Sequence, residues 1–91
     1  MSITRINSGP RMSQCVVHGD TIYTAGQVAD DRDADVAGQT SQILAKLDAL
    51  LAEAGSDKSK ILSATIWMSD ISAFNEMNGV WDAWVDTDNP P

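Results

Sequence analysis

With one cysteine, one histidine, one phenylalanine and one tyrosine in 91 residues, the chain lacks the residue types on which several classes of protein are built. The lone Cys15 excludes an internal disulfide and a cysteine-rich metal cluster. With His18 as the only imidazole, these residues cannot close a four-ligand zinc site. Scarcity of cysteine fits a reducing compartment, and a cytoplasmic location is the expectation. Basic residues are also few: six Lys and Arg against thirteen Asp and Glu leave a net charge of −7. Such a surface repels phosphate backbones and argues against general nucleic-acid binding. No apolar run is long enough to cross a bilayer, and Met1 to Pro10 lacks the continuous apolar stretch of a signal peptide.

What remains is 43% hydrophobic and 21% charged, the composition of one globular domain over residues 1–91. A domain of this size buries only about 60–65% of the surface its unfolded chain exposes, which favours oligomerisation. No repeat or linker interrupts it. The loop-like clusters are Asn7 to Pro10, Ala29 to Asp35, Ser56 to Ser59 and Asp86 to Pro91.

Ile3 to Ile6 alternates as a short edge strand. Cys15 to His18 and Thr21 to Ala25 are β-branched or aromatic runs on either side of Gly19-Asp20, a two-residue hairpin turn. From Val36 the period changes to a helical stripe of Val36, Thr40, Ile43, Leu44, Leu47, Leu50, Leu51 and Ala54, with Asp33 or Asp35 as N-cap and Gly55 as terminator. Ile61 to Met68 reads as a strand, with Leu62, Ala64, Ile66 and Met68 on one face and Ile61, Ser63, Thr65 and Trp67 on the other. A second helix is expected after Ser72 as N-cap, with Phe74, Met77, Asn78, Trp81, Trp84 and Val85 inward.

The order β, β, β, α, β, α predicts an α+β two-layer sandwich, both helices on one face of a mixed sheet. The other face, with small polar residues and Tyr23 or Trp67, suits a subunit interface. Asn89-Pro90-Pro91 favours extended backbone and reads as the entry to a further strand, so the domain is expected to lack its C-terminal strands.

The residues alone do not assemble a catalytic set. Cys15 and His18, three apart in a strand, point to opposite faces and cannot pair as thiolate and imidazolium. The pairs Asp30-Asp31, Asp33-Asp35 and Asp86-Asp88 lack the spacing of a calcium loop and read as solvated acidic loops. Neither a nucleophile elbow nor a phosphate-binding glycine loop is present. Asn78 lies in an apolar helical stripe, where a buried amide needs a hydrogen bond. Trp67, Trp81 and Trp84 read as core or interface packing. Arg11, beside Pro10, carries a guanidinium fork suited to a carboxylate, but a surface arginine is the simpler account.

Five segments in order carry a resemblance: Ser8-Gly9-Pro10 before Ser13-Gln14; Tyr23-Thr24-Ala25-Gly26-Gln27; Gln39-Thr40; ILSATIWMSD over 61–70; and Phe74-x-x-x-Asn78. The chain resembles the Rid family of reactive intermediate deaminases, also called YjgF or L-PSP proteins, over nearly its whole length. That resemblance implies a chorismate-mutase-like fold and a homotrimer with a small carboxylate ligand in clefts between subunits. It further implies hydrolysis of enamines or imines such as 2-aminoacrylate to 2-keto acids and ammonia, without metal or organic cofactor. Other members are described as endoribonucleases or translation inhibitors. The matching ligand-side positions are Met12, Ala25, Gly26 and Asn78. Two depart from the active branch: Ala25 replaces a serine, and Arg11-Met12 stands where a tyrosine follows Gly-Pro. The clamp arginine and water-holding glutamate that the resemblance implies fall past Pro91, so no catalytic residue is assigned within 1–91. A non-catalytic ligand-binding or regulatory trimer is the alternative, and an endoribonuclease ranks third.

Overall fold

The computed structural model describes residues 2–91. Three strands, β1 (Ile3–Ser8), β2 (Ser13–His18) and β3 (Thr21–Thr24), form an antiparallel meander in the order β1-β2-β3. Pairing runs from Ile3 opposite His18 to Ser8 opposite Ser13, and from His18 opposite Thr21 to Cys15 opposite Thr24. The turn between β2 and β3 is Gly19-Asp20, with the left-handed conformation on Gly19 alone, at φ 62°. Glycine first is the arrangement of a type II′ hairpin. Asn7 also sits at positive φ, 53°, an angle that asparagine tolerates better than most residues. Its amide donates to Glu53 Oε2 at 3.1 Å, tying β1 to the end of the first helix.

That helix, α1 (Val36–Glu53), begins where Asp35 accepts from the Gly38 amide at 2.7 Å, which settles the N-cap on Asp35. It ends in a left-handed Gly55 at φ 79°, with Ser56 N donating to Leu51 O at 2.8 Å, the terminator expected there. Thr40, Leu44, Leu50 and Leu51 are buried along its inner stripe. Thr40 returns its hydroxyl hydrogen to Val36 O, so a buried polar group is satisfied within the helix. Cys15 is fully buried and His18 exposed, as opposite strand faces require. Burial, and then the charge of Glu53, push the Cys15 thiol above its ordinary value, which makes it a poor nucleophile.

The second helix, α2 (Phe74–Trp84), follows a 3-10 turn over Ile71–Ala73. Here the expected N-cap is corrected. Asp70, not Ser72, is the capping acceptor, taking hydrogen bonds from the Ser72 amide and hydroxyl at 2.9 and 2.7 Å, while α2 itself has no side-chain cap. A carboxylate accepts both bonds, whereas Ser72 is better placed to donate. The helices run in the same sense. Glu76 Oε1 accepts from Ala37 N at 3.3 Å near their beginnings, and Trp84 Nε1 donates to Asp48 Oδ2 at 2.9 Å further along.

A second difference concerns Ile61 to Met68. The expected fourth strand joins no ladder, so the paired sheet is antiparallel and three-stranded, where a mixed sheet was expected. No backbone N–H or C=O of residues 61–68 makes a hydrogen bond within the described chain. Local propensity favours strand here, but a strand exists only against a neighbour, and these residues have none alongside. The α+β class stands, with two helices packed with the sheet.

Candidate functional site

The register brings three of the four ligand-side positions to one end of the sheet. Ser8 lies opposite Ser13, so the β1–β2 connection holding Met12 sits there, and Cys15 opposite Thr24 puts the exit of β3 at the same end. Gly9 N donates to Met12 O at 2.8 Å, closing that connection. Ser8 and Ser13 share a hydroxyl hydrogen bond at 2.8 Å. Met12 is half exposed, at 49%. Arg11 is exposed beside it, and among the described residues the sole ion pair is Lys46 with Asp30, at 2.7 Å.

After β3, Ala25 N donates to Gln14 O at 2.8 Å, prolonging the sheet by one bond. Gln27 then folds its amide back, donating to Gln14 Oε1 at 3.0 Å and to Ala25 O at 3.1 Å. Between these anchored residues, Gly26 is exposed: among the described residues, its chain neighbours aside, no atom lies within 4 Å of where a Cβ would stand, and its own N–H and C=O have no partner. The turn thus presents unengaged backbone on a fixed frame. Gln14 and Gln27 belong to the segments that carry the resemblance but are not among its ligand-side positions. The available signal was a glutamine on the outward row of a strand facing another just beyond the hairpin.

Asn78 lies elsewhere. It is half-buried, without a side-chain hydrogen bond, which corrects the expectation of a buried and bonded amide. The reason is local: it lines an open groove of about 380 Å³ between α2 and residues 64–71, where solvent reaches it. Ala64, Ile66 and Met68 form one wall, and Phe74, Met77 and Trp81 the other. Trp81 and Trp84 touch at 5.5 Å between ring centroids, with Lys58 Nζ 5.2 Å above the Trp84 ring, so their packing is aromatic and cation–π in kind. Trp67 is 90% exposed. Among the described residues, no cluster of three His, Cys, Asp or Glu side chains could hold a metal ion. Among the described residues, no helix is long and apolar enough to cross a membrane.

The model of the family described as Endoribonuclease L-PSP matches residues 2–91. The chain belongs to the L-PSP family. The RutC family protein YoaB of Escherichia coli is 45% identical over 91 residues, all of this chain and 79% of the relative. A RutC family protein of Haemophilus influenzae is 39% identical over a similar span. Among solved structures, a YjgF family member from Neisseria meningitidis superimposes with a TM-score of 0.96 at 41% identity, covering all of this chain and 76% of that one. An uncharacterized protein from Pseudomonas aeruginosa gives 0.95 at 38%. The L-PSP fold therefore holds along the whole of the described chain, including the unpaired residues 61–68.

Proposed function

We propose that this L-PSP protein binds a small carboxylate at the Ala25-Gly26-Gln27 turn and acts on reactive enamine or imine intermediates of the 2-aminoacrylate type. In this reading water adds to the imine carbon, ammonia leaves, and a 2-keto acid is released. One observation carries the reading. The Gly26 backbone is open and unbonded while the residues on both sides are held by the Gln14 and Gln27 amides. Preorganised backbone donors of this kind suit a small anion or a polarised carbonyl oxygen. The chain within 1–91 supplies the binding frame. The side chains that would clamp the carboxylate and hold the water belong to polypeptide beyond Pro91, and the cleft is completed by further copies in a homotrimer.

The test is ammonia release from 2-aminoacrylate generated in situ, using protein expressed from its whole coding sequence. A rate no higher than buffer hydrolysis would sink the catalytic reading. A second reading, a non-catalytic ligand-binding trimer in the cytoplasm, draws on Met12 and Ala25, which offer no hydroxyl to a substrate. It predicts saturable thermal stabilisation by small 2-keto acids without turnover. A flat titration counts against both. Ribonuclease action, which the family's description names, fits poorly with a net charge of −7.

A further inference from the structure

Charge is distributed unevenly along the chain. Of the thirteen Asp and Glu, twelve fall within residues 30–91, beside four of the six Lys and Arg, whereas residues 1–29 hold Arg5, Arg11 and a single acid, Asp20. The stretch that forms all three strands is therefore weakly basic in a chain of net charge −7. Asp20 sits in the β2–β3 turn at one end of the meander, and Arg11 in the β1–β2 connection at the other. The six residues of β2 separate them, about 20 Å at the rise of an extended strand.

The Arg11 end is also the end where the Gly26 backbone is open. Continuing the β2–β3 register past Cys15 and Thr24, through the bond from Ala25 N to Gln14 O, sets Gly26 across from Ser13. Arg11 stands two residues before Ser13, in the connection closed between Gly9 and Met12. Its backbone is thus one strand spacing across and two residues along from Gly26, on the order of 8 Å. Two carboxylates approach this end, and each has a partner. Glu53 Oε2 accepts from Asn7 Nδ2 at 3.1 Å, and Asp30 pairs with Lys46 at 2.7 Å. Arg11 is exposed and, among the described residues, has no ion pair. A guanidinium without a competing acid attracts anions, and its planar fork holds a carboxylate through two parallel hydrogen bonds.

We infer that Arg11 is a specificity-determining residue that selects ligands carrying a second carboxylate, so that the favoured class is a dicarboxylic 2-keto acid or the imine that hydrolyses to one. The inference rests on the reading that the Ala25-Gly26-Gln27 turn holds the first carboxylate. Arg11, beside that turn and unpaired, is the charge left to receive the other.

Protein expressed from its whole coding sequence is titrated calorimetrically with 2-oxoglutarate and with 2-oxopentanoate, which share chain length and the 2-keto acid group and differ in the second carboxylate. The parent should bind 2-oxoglutarate tighter by about tenfold or more, and the preference should shrink as salt is raised. Arg11→Gln should bring 2-oxoglutarate down to the affinity of 2-oxopentanoate. Arg11→Lys, which keeps the charge without the fork, should retain part of the preference. The side chain is exposed, so both variants should keep the parent's circular dichroism and thermal midpoint. Equal affinity of the parent for the two acids overturns the inference and leaves the turn standing as a carboxylate site. A preference that survives Arg11→Gln overturns it by assigning the second carboxylate to another cation. An equal loss of both acids in Arg11→Gln overturns it by assigning Arg11 to the carboxylate they share. Binding of neither acid overturns the reading of the turn itself, and the inference with it.

Discussion

Residues 2–55 and 56–91 differ in how their backbones are satisfied. From β1 through α1, strands pair in register, α1 is capped at both ends, and Cys15, Leu44, Leu50 and Leu51 are buried between layers. From Ile61 onward there are short Asp-capped turns, a helix with one buried residue, Met77, and an extended segment whose backbone has no hydrogen bond among the described residues. Stability concentrates where backbone and side chains are satisfied together. Regions with few buried contacts open first.

The largest test of that contrast is a cavity in the first region. Leu44→Ala removes a buried side chain, and the urea midpoint should fall by the equivalent of about 2–5 kcal/mol. A loss below 1 kcal/mol would mean that the α1 core is no better packed than α2. Next comes the helix cap. Asp35→Ala deprives the Gly38 amide of its acceptor and should cost about 1 kcal/mol in the same measurement. A smaller effect belongs to Asp70, whose carboxyl is held below its ordinary value of 3.8, first by the Ser72 hydroxyl and then by the Ser72 amide. A depressed folded-state value means that this stabilisation is complete above the unfolded-state value and is lost as pH falls through the folded one. Asp70→Asn should therefore be less stable than the parent at pH 6, with the difference shrinking below pH 4 in parallel urea titrations. A pH-independent difference would assign the effect to something other than charge. The smallest effect is expected at Trp67→Ser. The ring is almost wholly solvated in the 91-residue chain, so the midpoint should move by no more than about 0.5 kcal/mol. A large loss there would erase the distinction between the regions.

Much of this was legible in residue order. Periodicity located α1 to within a residue, because an amphipathic stripe, an Asp cap and a terminating glycine all agree there. The hairpin was equally plain from Gly19-Asp20. Ile61 to Met68 alternates as a strand does, yet pairing is decided by neighbours that local sequence does not contain. Asn78 differs from its sequence expectation for a related reason: a stripe position implies burial only if something covers the stripe, and the groove leaves it open. At the candidate site the Ala25–Gln27 turn could be picked out by resemblance, but the clasp of Gln14 and Gln27 depends on a register that brings residues thirteen apart within 3.0 Å.

The Glu76 carboxylate on α2 accepts from the Ala37 amide in the first turn of α1, alongside the Asp35 cap. Two helices that differ in their burial thereby share one helix start. Movement of α2 away from α1 leaves Ala37 N without its partner and exposes the opening turn of the better-packed helix to fraying. Phe74 and Met77, which flank Glu76, also line the groove, so whatever settles there against α2 is felt as slower exchange of the Ala37 amide.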